Sequence, residues 1–88
     1  MTKQERADEV KAIVDKTEPI AQWGGSSKAW SSPDGSKVRV YVNNKKAESS
    51  AWIDIKDDEI ILHETRGNSM TRNAIAEALH IPMAKVRM

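Results

Sequence analysis

The spacing of apolar positions changes period along the chain, from helical to alternating and back. From Lys3 to about Thr17, Ala7, Val10 and Val14 recur at helical spacing with Ile13 beside them. Thr2 and Glu5 have capping-box spacing, in which each residue satisfies an otherwise unpaired N–H of the other. Asp8–Lys11 and Lys11–Asp15 put opposite charges together on the polar face. Pro19 prevents continuation and biases Glu18 away from helical dihedrals, so a helix is predicted over about 3–17.

A period of two follows. Lys37-Val38-Arg39-Val40-Tyr41-Val42 alternates strictly, the pattern of a half-buried strand. Ala51 to Lys56 alternates too, and Glu59 to Glu64 is rich in β-branched residues. Upstream, Ile20, Trp23 and Trp30 flank Gly24-Gly25-Ser26-Ser27, a turn composition, with a short strand expected around Ala29–Ser31. Pro33-Asp34-Gly35 supplies a turn. Asn43 to Ser50 read as a polar loop and Asp57-Asp58 as a tight turn. Beyond Gly67-Asn68, Ser69 is a candidate N-cap for a second helix over about 70–81, stopped by Pro82. Its apolar pair is Ile75 and Leu79, and Met83 to Met88 form a short tail. The expected fold is α+β in the order α-β-β-β-β-α. A three- to four-stranded antiparallel meander has both terminal helices on one face, and residues 1–88 form a single domain.

The Asp57-Asp58 turn fixes a register. Lys56 then faces Glu59, Ile55 faces Ile60, Asp54 faces Ile61, Ile53 faces Leu62 and Trp52 faces His63. A slip of one residue would expose the isoleucines, so the register supports itself. Val38, Val40 and Val42 belong with the isoleucines, because burial is worth roughly 1.5–3 kcal/mol for each such side chain. The opposite face then carries Arg39, Tyr41, Trp52, Asp54, Ile61 and His63. Trp, Tyr and Arg are the residue types that dominate recognition hot spots, and aromatic rings also stack nucleic-acid bases.

Composition narrows the chemistry. With 14 Lys+Arg against 13 Asp+Glu, the formal charge is +1, so no global field steers the chain to nucleic acid or to an anionic membrane. The absence of cysteine excludes disulfides, cysteine zinc sites and thiol catalysis, and favours a cytoplasmic setting. No apolar run exceeds three residues, so no membrane span or signal-peptide core is expected.

No phosphate loop, nucleophile elbow or metalloprotease motif occurs, so the expectation is a non-enzyme without cofactor or metal. Asp54, Asp57, Asp58 and Glu59 lack the spacing and glycine of a calcium loop and read as a solvated hairpin tip. His80, near the end of the second helix, reads as a capping residue. Ile75-Ala76-Glu77-Ala78-Leu79-His80-Ile81, followed by Val86, resembles the spacing of a DNA-binding helix-turn-helix. His80 stands where that motif usually has glycine, and only about one and a half turns remain after Met83 for a recognition helix.

These features point to a binding module that acts by protein–protein contact through Trp52, Tyr41, Arg39, His63, Ile61 and Asp54. The partner is another protein or a second copy of the chain, and no membrane is involved. Small inhibitors encoded by phages and other mobile elements also work by covering a partner's surface, a parallel that rests on size alone. The alternative is a nucleic-acid binder using the same face with Lys37, Lys45 and Lys46, or a partial helix-turn-helix at the C-terminus.

Overall fold

The computed structural model describes residues 2–44, 49–66, 69–82 and 86–87. Helix α1 spans Lys3–Asp15, and the capping box forms. Thr2 Oγ1 accepts from the Glu5 N–H and the Thr2 N–H donates to Glu5 Oε1, both at 3.1 Å. Ala7, Val10 and Val14 are the buried stripe of α1. Pro19 opens a second element where the sequence suggested only an end: a single helical turn, α2, spans Glu18–Ala21. The physical reason is that proline is tolerated in a helix's first turn, where its missing N–H has no partner to lose.

Four antiparallel strands follow as a meander, β1 (Ser26–Ser31), β2 (Val38–Asn44), β3 (Ser49–Ile55) and β4 (Ile60–Arg66). Between β1 and β2 the Gly35 N–H bonds the Ser32 carbonyl at 2.9 Å, and Gly35 takes a φ of +73°. Asp34 Oδ1 ties this turn together by accepting from Ser32 Oγ, Ser36 N and Ser36 Oγ. The β3–β4 register is the one the Asp57-Asp58 turn implied: Ile55 pairs with Ile60, Asp54 with Ile61, Ile53 with Leu62 and Trp52 with His63. A bulge follows, with Ala51 opposite Glu64 and Ser50 opposite Arg66.

Strands β2 and β3 extend into the expected polar loop. Asn44, fully buried, donates from Nδ2 to the Pro19 carbonyl at 2.9 Å, which anchors the end of β2 to α2. Gly25 lies in the same corner, where a Cβ would come within 2.7 Å of Ile20 Cδ1 and the Pro19 carbonyl.

Helix α3 spans Ser69–Ala78 and closes with a Schellman motif. The Ile81 N–H bonds the Ala76 carbonyl at 2.9 Å and the His80 N–H bonds that of Glu77 at 3.2 Å. His80 takes the left-handed conformation at φ +56°, so it caps through its backbone. Val86–Arg87 then form β5, parallel to β4. The described residues after the turn are therefore a strand, where a helix-turn-helix needs a second helix.

The core is one cluster. Ala7, Val10 and Val14 of α1 and Ile75 and Ala76 of α3 meet Val38, Val40, Val42, Ala51, Ile53, Ile55 and Leu62 of the sheet. Both long helices thus cover the same face, as the alternation required.

Candidate aromatic sheet-face site

The other face is organised by pairing. One row across the strands runs Trp30, Arg39, Asp54, Ile61, and the next runs Lys28, Tyr41, Trp52, His63 and position 87. The six face residues expected from the sequence therefore stand together. Trp30 and Lys28 join them and were missed, because they enter the face only once the β1–β2 register is known. The available signal was the position of the Pro33-Asp34-Gly35 turn. Counted outward from Ser32 paired to Lys37, it sets Trp30 opposite Arg39.

Arg39 is the hub. Its guanidinium carbon lies 4.3 Å from the Trp52 ring centroid and 5.8 Å from that of Trp30. Its Nη1 donates to the Tyr41 hydroxyl at 3.1 Å. On the other side of β3, the His63 imidazole stacks on the Trp52 indole at 3.8 Å and 3° between planes. Arg39 comes from β2 and His63 from β4, and these strands flank β3. The indole is thus held between a guanidinium and an imidazole. Trp30 meets Tyr41 edge to face, centroids 6.3 Å apart at 69°.

Trp30 and Tyr41 are the large exposed hydrophobics of the described chain, each 38% accessible. Arg39, Trp52, Asp54, Ile61 and His63 are half-buried. Arg39 Nε is enclosed without a hydrogen-bond partner, a cost of about 1–3 kcal/mol that the ring contacts offset.

At one end of the face, Asp54 lies 3.8 Å from Lys56, and Lys37 is exposed. Lys37, Arg39, Asp54 and Lys56 border an open cleft of about 400 Å³ with Lys3, whose Nζ approaches Asp57 at 3.8 Å. Lys45 and Lys46 lie outside the described residues. Among the described residues no group of three or more His, Asp or Glu side chains has metal-binding proximity, and no helix is long and apolar enough to cross a membrane.

Three carboxylates lie below their ordinary range, all off the ring face: Asp34, Asp15 and Glu5, the last held down by its hydrogen bonds with Thr2. Asp34 is pulled down to about 2 by hydrogen bonds, first from Ser32 and then from Ser36. Burial opposes ionisation of Asp15, but hydrogen bonds from Lys11 and Ser27 outweigh it and leave its carboxyl below the ordinary range. The chain matches no protein-family model, no curated protein and no solved structure.

Proposed function

We propose that this protein is a non-enzymatic, cytoplasmic binding module that recognises another protein through the open sheet face. Trp52, Tyr41 and Arg39 form its centre, and Trp30, His63, Ile61 and Asp54 surround them. The observation that supports this reading is the guanidinium–indole–imidazole stack. It holds large, apolar, hydrogen-bond-capable groups in fixed positions, so little side-chain entropy remains to be lost on binding. A domain of this kind acts by occlusion, as small inhibitors of the phage type do.

The same stack argues against base stacking on Trp52, the central ring of the nucleic-acid alternative. A base needs an open ring face to stack on, at ~1–3 kcal/mol per base. Both faces of Trp52 are occupied, one by Arg39 and one by His63. A flat protein surface can instead use the ring edges and the guanidinium.

The test is affinity purification from the native host with quantitative mass spectrometry, comparing wild type with Trp52→Ala. Loss of a specific protein partner in the variant, with the fold retained by circular dichroism, is the expected result. Unchanged capture together with a melting temperature lowered by several degrees would make the ring purely structural. Co-purified material absorbing at 260 nm and lost at high salt would favour nucleic acid instead.

A further inference from the structure

Strand β1 is an edge of the sheet, paired on one side only. The direction of its outer backbone groups follows from the turn. The Ser32 N–H bonds the Lys37 carbonyl at 2.9 Å, so Ser32–Lys37 is a hydrogen-bonded pair. Antiparallel pairs alternate, so Trp30–Arg39 and Lys28–Tyr41 are also hydrogen-bonded pairs. Ser27, Ala29 and Ser31 therefore aim their N–H and C=O groups away from β2, and no described backbone bond reaches them. Proteins usually blunt such an edge. Here no proline interrupts the strand between Ser26 and Ser31.

We infer that β1 pairs antiparallel with β1 of a second copy, about a two-fold axis midway between the two Ala29 residues, joining two sheets into one. This assignment concerns the sheet edge and is independent of the partner proposed for the sheet face. In this register Ala29 meets Ala29, and Ser27 meets Ser31 twice. All three outward residues of each chain gain both backbone bonds.

The side chains select this register over its neighbours. On the open-face side it sets Lys28 of each copy opposite Trp30 of the other, an ammonium beside an indole. Shifting the sum of paired positions down by two puts Lys28 against Lys28, which repels. Shifting it up by two brings Pro33, which has no N–H, into the ladder.

On the helix side the pairing leaves room. Helix α1 packs over β1 and β2, and Gln4, Ala7 and Asp8 line a crevice beside Ala29, Trp30 and Ser31. A helix seated over the β1–β2 gap stands about one strand spacing from the axis, so two of them lie about 10 Å apart, a normal packing distance. Asp8 lines that crevice, and Asp15 accepts from Ser27 of β1 and pairs with Lys11, so α1 presents charged groups of both signs on the side that a second copy would face. The two open faces then lie on the same side and form one continuous aromatic surface.

Sedimentation velocity of the full chain over a concentration series tests this. The expected result is a monomer–dimer equilibrium. Ser31→Pro removes an outward N–H that β2 does not use, and should leave a folded monomer. Lys28→Glu, at an exposed position, should weaken the dimer about tenfold through its two symmetric ring contacts. The chain has no cysteine, so Ala29→Cys should form a disulfide-linked dimer on mild oxidation, whereas Glu77→Cys on α3 should not. A monomer at every concentration would overturn the inference and leave the edge to a strand from another protein. A dimer indifferent to Ser31→Pro and Lys28→Glu that fails to cross-link through position 29 would also overturn it, placing the contact on another surface.

Discussion

The two faces of this sheet are built from alternate residues of the same strands, yet they use burial in opposite ways. Under the helices, Val40, Ile53 and Leu62 are completely buried within the apolar cluster. On the open side, Arg39, Trp52 and His63 are half-buried and are held by one another. The first face stabilises the fold by removing carbon from water. The second keeps its groups at the surface, in fixed geometry, at the cost of an unpaired guanidinium Nε. Substitutions on one face should therefore be felt in folding, and on the other in recognition.

The largest effect is expected at Ile53. Ile53→Ala removes a fully buried side chain from a central strand and should cost about 2–5 kcal/mol in urea unfolding, with partner binding unchanged wherever the protein remains folded. A loss below ~1 kcal/mol would mean that the helix-covered face is not the main source of stability. Asn44→Ala comes next. It leaves the Pro19 carbonyl without the Asn44 amide and should cost about 1–3 kcal/mol. Because that bond joins β2 to α2, amide exchange should accelerate first around residues 18–25 and 42–44. Uniform acceleration across the sheet would show that the bond does not act locally.

Arg39→Met reverses the pattern. The variant loses the ring contacts to Trp52 and Trp30 and the exposed hydrogen bond to Tyr41, worth ~0.5–2 kcal/mol together, but also removes the enclosed unpaired Nε. The two terms nearly cancel, so stability should change by less than about 1 kcal/mol while affinity for the partner falls at least tenfold in calorimetry. A variant that unfolds readily but still binds would place Arg39 among the structural residues, and the distinction between the faces would fail there.

The division between the faces is legible in the sequence, because period two assigns sides. Arg39, Tyr41, Trp52, Asp54, Ile61 and His63 were grouped by parity and by one hairpin whose apolar pairs allow a single register. The rest depended on contacts that leave no hydrophobic trace. Ser26 and Ser27 stand in the β1–β2 ladder opposite Asn43 and Val42 but follow two glycines, so the start of β1 reads as a turn in the sequence. Asn43 and Asn44 looked like loop because the bond that anchors them reaches 25 residues back, to Pro19. Strand β5 is two residues long and pairs with β4 in parallel, which requires α3 to be placed first. The stacking of Arg39, Trp52 and His63 is a side-chain event, and alternation supplies only its neighbours.

The smallest and most local effect should come from acid. Asp34 sits in the turn that holds β1 against β2, and so holds Trp30 beside Arg39 and Tyr41 without touching the core. Its carboxyl is held at about 2 in the folded chain, against 3.8 for the ordinary group. Because the folded value is depressed, its contribution is fully present above the unfolded value and disappears as pH falls through about 2. Between pH 4 and 2 the Trp30 indole resonance should shift, while methyl resonances of Ile53 and Leu62 stay in place until lower pH. Asp34→Asn should remove that early step. Simultaneous movement of the indole and the methyls in the wild type, unchanged by Asp34→Asn, would mean that acid attacks the fold as a whole and that the turn does not separately control the open face.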